Sequence, residues 1–289
     1  MKDFTVENLT AEVIKAYTSQ AATPRLKAIF ESLITHLHAF VRDVELTEAE
    51  WFEAIQFLTA TGKKCDDKRQ EFILLSDTLG VSMLVDAINH PKGGAGTEST
   101  VLGPFYVPGA PDMPFGGDVR RRLIDGVQPC LVTGKVTDAD GKPIAGATLD
   151  IWQTAANALY DVQDADAPEW NLRGCFSTNE NGEYALVTEK PVSYPVPTDG
   201  PVGQMLSAAG RHAFRPAHIH FVAKAEGFEP LTTHIFVNGD AYLDSDAVFA
   251  TKASLVGDFV ESEDSALAGR FGLPTPFTHL EFNFGLMAS

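Results

Sequence analysis

From Val6 to Asn89 the apolar positions recur every three to four residues, the spacing that lines one face of a helix. Within that stretch the only proline is Pro24, where Thr23 can cap and proline suits the first helical position. Thr47-Glu48-Ala49-Glu50 has the form of a capping box, and Trp51, Ile55 and Leu58 then make a helical stripe. The pattern predicts four or five helices, among them Leu26 to Val41, Thr47 to Thr61 and a segment across Arg69 to Ala87. Pro91, Gly93, Gly94 and Gly96 close this region, and short β-rich runs separated by turns follow. Strands are expected at Leu131 to Thr137, Ala147 to Gln153, Gly174 to Thr178, Glu183 to Val187, His218 to Ala223, Thr232 to Val237 and His279 to Phe284. Asp138-Ala139-Asp140-Gly141 and Asn179-Glu180-Asn181-Gly182 are the turns that join two of these pairs. The expected class is α+β, with a helical domain over residues 1–92 and an antiparallel β-sandwich, free of intervening helices, over 93–289.

A chain of 289 residues with 44% hydrophobic content can bury a substantial core. Its net charge of -17 argues against a nucleic-acid partner, because phosphate binding draws on clustered Lys and Arg. Arg120-Arg121-Arg122 is the one basic run and reads as a solvated loop or a local anion contact. The three cysteines, Cys65, Cys130 and Cys175, are odd in number and widely spaced, which suits a reducing compartment better than a disulfide framework. The amino terminus has no apolar signal core, and no run of about 18 apolar residues is present, so a cytoplasmic protein is expected.

Candidate chemistry begins at Arg215-Pro216-Ala217-His218-Ile219-His220. Alternate residues of a strand share a face, so His218 and His220 project together, whereas a helix would splay them about 200° apart. Pro216 and the β-rich run after it favour the strand. Two neutral imidazoles suit iron, copper or zinc, while a hydrogen-bonded pair on a half-exposed strand explains the same spacing. His36 and His38, two apart on a helix, face different ways and read as surface or packing residues.

Tyr160 follows Asp150-Ile151-Trp152-Gln153-Thr154 and Ala158-Leu159. Tyr194 lies in the segment Pro191 to Pro201, too rich in proline for a sheet interior. Either tyrosine alone also reads as a packed aromatic with a bonded hydroxyl. Taken in order with Gly103-Pro104-Phe105-Tyr106-Val107-Pro108-Gly109-Ala110-Pro111, Gly210-Arg211-His212 and the histidine pair, they closely resemble the intradiol ring-cleaving dioxygenases of aromatic catabolism. The resemblance covers nearly the whole chain. It implies a non-haem ferric ion, Fe(3+), held by Tyr160, Tyr194, His218 and His220, with Tyr106 outside the ligand set and Tyr17, Tyr184 and Tyr242 structural. It further implies an enzyme that activates a 1,2-dihydroxybenzene rather than dioxygen and opens the bond between the two hydroxylated carbons. Tyr194 would take a substrate proton and Tyr160 would remain bound; Arg215 would orient substrate and stabilise negative charge, its alternative being a salt bridge.

Within the family, Val101-Leu102-Gly103-Pro104-Phe105 looks like the hydroxyquinol-cleaving members, since catechol-cleaving ones commonly have Gly-Pro-Leu-Tyr. Glu71-Phe72-Ile73-Leu74-Leu75-Ser76-Asp77 resembles the same group, which would place Leu74 and Asp77 on the substrate, Asp77 accepting from a third ring hydroxyl. The alternative for Asp77 is a helix-surface carboxylate. Val196, Pro197 and Val248 match further pocket positions. His234 stands where catechol-cleaving relatives have glutamine, and it reads as a partner of the ligands rather than a third histidine ligand.

The leading expectation is therefore cleavage of hydroxyquinol, with catechol as the second. Related enzymes form homodimers through their amino-terminal helices, some with a phospholipid between subunits; the stripe Leu26, Ile29, Phe30, Leu33, Leu37 and Phe40 suits that interface or an ordinary bundle core. Two readings of other classes stay open: a non-catalytic transthyretin-like binding module, and a zinc hydrolase, the latter disfavoured because no carboxylate or cysteine offers a third ligand.

Overall fold

The computed structural model describes residues 3–67, 69–90 and 96–289. The chain divides into two compact units, Met1–Thr59 and Ala60–Ser289. The first holds α1 (Leu9–Thr18), α2 (Pro24–Asp43) and most of α3 (Glu48–Lys64). Both capping expectations are met. Leu26 N–H donates to Thr23 Oγ1 at 3.1 Å, and Thr47 and Glu50 bond reciprocally, Glu50 N–H to Thr47 Oγ1 and Thr47 N–H to Glu50 Oε2. On α2, Ile34 is buried while Leu33, Leu37 and Phe40 are more than half exposed. His36 is exposed, and His38 Nδ1 lies 3.1 Å from Thr10 Oγ1.

The second unit opens with α4 (Glu71–Thr78) and α5 (Val81–Asn89). One helical segment was expected here; two form because Gly80 takes φ +73°, a left-handed conformation that interrupts helical hydrogen bonding. The expected boundary at 92/93 lies outside the described residues. Twelve strands follow: β1 (Pro129–Thr137), β2 (Thr148–Trp152), β3 (Arg173–Ser177), β4 (Glu183–Glu189), β5 (Tyr194–Pro195), β6 (Phe214–Arg215), β7 (His218–Lys224), β8 (Leu231–Val237), β9 (Val256–Gly257), β10 (Val260–Ser262), β11 (Phe277–Glu281) and β12 (Phe284–Gly285). They build one sheet ordered β10-β11-β1-β12 with β4 also on β1, a second ordered β3-β2-β7-β8-β9, and the small ladder β5-β6. Phe221 of β7 meets Phe284 of β12 with ring centroids 4.9 Å apart, so the two large sheets face each other across an aromatic core.

The α+β class is as expected, with two departures. The sheets are mixed, since β1 runs parallel to β11 and β12, and β8 parallel to β9. Tight turns force antiparallel pairing only between strand neighbours; segments separated by long connections are free to align in parallel. Two helices also interrupt the strands, α6 (Pro201–Ala208) and α7 (Ser265–Phe271). Pro201 supplies the first position of α6, and Asp264 caps α7.

Helix α4 is stitched to the start of α6. Glu71 is fully buried; it accepts from Arg69 Nε at 2.9 Å and from Val202 N–H at 3.2 Å. Asp199 accepts from Lys64 and Arg69 at 2.9 and 2.7 Å, and these bonds, that from Lys64 foremost, pull its carboxyl down to about 2. A carboxylate held below its ordinary value of about 3.9 contributes stability above that pH, which is lost as pH falls towards the depressed value. Asp199→Asn is therefore expected to narrow the drop in urea midpoint between pH 7 and pH 3; an undiminished drop would remove Asp199 from this role.

Candidate active site

The register of the second sheet aligns a row of side chains across four strands. Arg173 of β3 pairs with Trp152 of β2, Trp152 with His220 of β7, and His220 with His234 of β8. Residues paired directly in antiparallel strands share a face. Ile219 and Phe221 enter the core between the sheets, so His218 and His220 emerge on the opposite face, as the alternation predicts. That face is covered: both histidines are 2% exposed, which corrects the half-exposed alternative.

The cover carries the tyrosines. The β5-β6 ladder pairs Tyr194 with Arg215, so the proline-rich segment is held by a two-residue edge rather than a sheet interior. Tyr160 follows β2 and stacks on Phe105 at 4.7 Å. Their hydroxyls meet the histidines: Tyr160 Oη lies 2.9 Å from Tyr194 Oη and 2.9 Å from His220 Nε2, while Tyr194 Oη lies 3.5 Å from His218 Nε2. The two Nε2 atoms are 3.1 Å apart. Four donor atoms bonded at about 2.0–2.1 Å to one metal would stand roughly 3.3 Å from each other, so these spacings fit a shared ion.

The donor chemistry fits too. His218 Nδ1 donates to the Pro216 carbonyl at 2.7 Å, which leaves its Nε2 lone pair aimed at the cluster. His220 Nδ1 is buried and finds no hydrogen-bond partner among the described residues, while Trp152 stacks on its ring at 4.5 Å. Burial, with Arg215 nearby, holds His218 neutral, and burial with the neighbouring imidazoles does the same for His220; neutral imidazole is the ligating form. Burial, reinforced by Tyr194, pushes the Tyr160 hydroxyl well above its ordinary range, so ionisation there calls for a cation of the kind that deprotonates its own ligands.

Arg215 is 3% exposed and is clamped by Asp246, Nε to Oδ1 at 3.1 Å and Nη2 to Oδ2 at 3.5 Å. Asp246 also accepts the backbone N–H groups of Val248 and Ala250. Burial opposes the Arg215 cation, but Asp246 and the tyrosines outweigh it and keep the guanidinium charged. Its Nη1 faces His218 Nε2 at 3.2 Å and Tyr194 Oη at 3.4 Å. Arginine thus has both the salt bridge and a place at the cluster.

The other expected residues fall as follows. Gly103, at φ +78°, passes so close that an added Cβ would meet His220 Cε1 at 3.3 Å. Val101, Phe105, Leu74, Val196 and Val248 are buried, Pro104 and Pro197 are half-buried, and Leu102 is exposed. Asp77 is not a surface carboxylate: it is 2% exposed, and burial raises its pKa against the opposing pull of Ser82 and Arg215. Arg211 ties α4 to the same region, donating to the carbonyls of Thr78 and Ala247. Tyr106 stands apart from the cluster with its hydroxyl donated to Asp150 at 3.0 Å; Tyr184 donates to the Phe282 carbonyl, and Tyr242 stacks on Phe214.

Sequence reasoning missed Trp152 and Asp246 as site-building residues. His234, read from the sequence as a partner of the ligands, does reach the cluster, with a ring nitrogen within 4.8 Å of those of His218 and His220. His234 is fully buried, its Nδ1 engaged by Thr100 and its ring 4.1 Å from that of His220. A zinc site was disfavoured for want of a carboxylate or cysteine as third ligand; His234 brings a third ring nitrogen to the same place. Its sequence signal was its place in Leu231-Thr232-Thr233-His234, and the register makes it the cross-strand partner of His220.

Comparison with known proteins agrees along the length of the chain. A profile described as "Catechol dioxygenase N terminus" matches residues 23–97, and one described as "Dioxygenase" matches 101–288. The hydroxyquinol 1,2-dioxygenase of Rhizobium sp. (strain MTP-10005) is 50% identical over 269 residues, 92% of this chain and 90% of that protein. The 6-chlorohydroxyquinol 1,2-dioxygenase of Cupriavidus pinatubonensis is 50% identical over 264 residues, 91% of this chain and 95% of that one. The crystal structure of hydroxyquinol 1,2-dioxygenase from Pseudomonas putida DLL-E4 superposes with a TM-score of 0.89 at 50% identity, covering 98% of this chain and 99% of the other. With both profiles matched in order and half of all aligned residues shared over nearly the full length, this chain belongs to the intradiol ring-cleavage dioxygenases.

Proposed function

We propose that the chain is a ferric hydroxyquinol 1,2-dioxygenase, converting benzene-1,2,4-triol and dioxygen to 3-hydroxy-cis,cis-muconate, the enol form of maleylacetate. The observation that carries the reading is the convergence of Tyr160 Oη, Tyr194 Oη, His218 Nε2 and His220 Nε2 at spacings of 2.9 to 3.5 Å in a buried site. Two phenolates are hard anionic donors that favour ferric iron over zinc or copper. Bound there, Fe(3+) supplies a Lewis acid that draws charge from the ring diol and holds its oxygens in place.

The chain's own groups do the rest. Tyr194 Oη accepts the proton of one ring hydroxyl, while Tyr160, stacked on Phe105, stays in place as a ligand. Arg215, fixed by Asp246, presents Nη1 to negative charge growing on the substrate oxygens. Leu74, Val101, Leu102, Gly103, Pro104, Phe105, Val196, Pro197 and Val248 are taken as the pocket wall. His234 is taken as a support for His220 rather than a ligand, because His220 already reaches the tyrosines through Nε2. Visible absorbance after iron loading separates this reading from a zinc site or a non-catalytic binding module, since tyrosinate on ferric iron is coloured; a colourless, iron-loaded protein would overturn it.

Asp77 directs the choice of ring. This buried carboxylate, which feels the charges of Arg215 and Asp246, is taken to accept from a third hydroxyl, and a site built for such a bond discriminates strongly against a substrate that lacks it. The names of the relatives support the same substrate. Dioxygen uptake with hydroxyquinol and catechol side by side is expected to favour hydroxyquinol. Asp77→Ala is expected to lower kcat/KM for hydroxyquinol about ten- to a hundredfold while moving that for catechol less than about threefold; equal losses would leave Asp77 without a role in selection, and a preference of the parent for catechol would install the second reading.

The proposal extends to assembly and setting. Residues 1–92 are taken as the helical dimerisation domain and 93–289 as the catalytic domain, supported by the change from helices to strands between α5 and β1. Exposed Ile29, Leu33, Leu37 and Phe40 on α2 suit a homodimer seam, with a phospholipid as the candidate filler of any remaining apolar gap. No described helix is long and apolar enough to cross a membrane, and the cysteines are unpaired, which supports a cytoplasmic setting.

A further inference from the structure

Two buried arginine–carboxylate pairs lie beside the two site tyrosines; the charge of Arg215 reaches both, and Arg173 lies over the ring of Tyr160. Beside Tyr194 the pair is Arg215–Asp246; beside Tyr160 it is Arg173–Asp161. Arg173 is 1% exposed and opens β3, where the register aligns it with Trp152, the residue that stacks on His220. Its guanidinium carbon lies 5.9 Å from the centroid of the Tyr160 ring, and Nε and Nη2 both reach Asp161 Oδ1 at 2.7 Å. Asp161 follows Tyr160 directly in the chain, so the carboxylate that clamps the arginine is tied by one peptide to the ring beneath it.

The charge of Arg215 acts on both tyrosines, whereas the contact of Arg173 is with the Tyr160 ring. Arg215 points Nη1 at the Tyr194 hydroxyl, the atom proposed to take a proton. The Tyr160 hydroxyl meets Tyr194 and His220, while Arg173 lies against the ring. A buried cation over an aromatic face stabilises electron density there, more so when the ring carries negative charge, and burial keeps that field unscreened.

We propose that Arg173, oriented by Asp161, is a positioning residue that stabilises the Tyr160 phenolate through its ring and so marks Tyr160 as the tyrosine that stays bound. The inference rests on the ferric tyrosinate reading and adds to it a reason for the unequal roles of two similar ligands. It carries a signed spectroscopic consequence. In the visible band an electron leaves the phenolate for the metal, so a cation that stabilises the phenolate raises the transition energy, and losing that cation lowers it.

The test is the absorption maximum of the iron-loaded full-length protein and three variants. Arg173→Met is expected to move the band to longer wavelength by on the order of 10 nm, the scale of a desolvated cation–ring interaction, and Arg173→Lys to move it less. Asp161→Asn keeps a hydrogen-bond acceptor but removes the neutralising charge, so its band is expected to move to shorter wavelength. A purely structural salt bridge would lower thermal stability in the variants without shifts of opposite sign. Unmoved bands, or shifts of the same sign in Arg173→Met and Asp161→Asn, would overturn the inference. Should Arg173→Met fail to fold, Asp161→Asn decides: a shift to shorter wavelength supports it, and any other result overturns it. A colourless iron-loaded parent protein overturns the ferric reading and this inference with it, whereas a coloured parent with unmoved variants overturns the inference only.

Discussion

Tyr194→Phe is expected to lower turnover by about two to four orders of magnitude, the range lost when a positioned proton acceptor is removed, while the protein stays folded. The phenyl ring still fills the 4%-exposed space, and the deleted oxygen is the atom that lies among Tyr160 Oη, His218 Nε2 and Arg215 Nη1. The visible band should weaken and change shape at the same time, because one of two phenolate donors is gone and Tyr160 remains. Tyr106→Phe is the control: its hydroxyl bonds Asp150, away from the cluster, so the band should stay in place. Absorbance and dioxygen uptake on the same preparations decide the matter, and full activity in Tyr194→Phe would refute the role given to it.

The second large effect is on stability. Asp246→Ala leaves the Arg215 cation buried with its counter-charge gone, and removing one partner of a buried ion pair costs about 3–5 kcal/mol. It also leaves an uncompensated positive charge 3.2 Å from His218 Nε2, so metal uptake should weaken along with the urea midpoint. Replacing both partners, Arg215→Met with Asp246→Leu, should return part of the stability, because the stranded charge is gone, while the Val248 and Ala250 N–H groups still lack their acceptor. Turnover should not return, because Nη1 is still missing. A double variant that regains activity would show that Arg215 serves the fold alone.

The two predictions draw on different layers of information. Tyr194 was legible because its motif resembles that of a known family, and His218 and His220 because a period of two in a β-rich run places them on one face. Asp246 was not legible. It lies 31 residues beyond Arg215 with no spacing signal between them, and only the folded loop turns its carboxylate onto the guanidinium. His234 was noticed as a departure from one branch of the family, yet its closeness to His220 follows from the β7–β8 register. Asp77 had two readings, and its burial removes the surface one.

By itself, the sequence determined the local elements and, through a family resemblance, pointed to the candidate ligands. Capping boxes, alternation and turn residues act over a few positions, so Thr23, Thr47 and the β7 run could be read directly. Tertiary structure alone decided the break at Gly80, the parallel pairing of β1 with β11, and the arginine–aspartate pair beside each tyrosine. Those features depend on which distant segments share a sheet and at what register, and a one-residue slip would turn Arg173, Trp152, His220 and His234 to opposite faces. Local chemistry therefore names groups that can bind a metal, while long-range register places the buried charges around them.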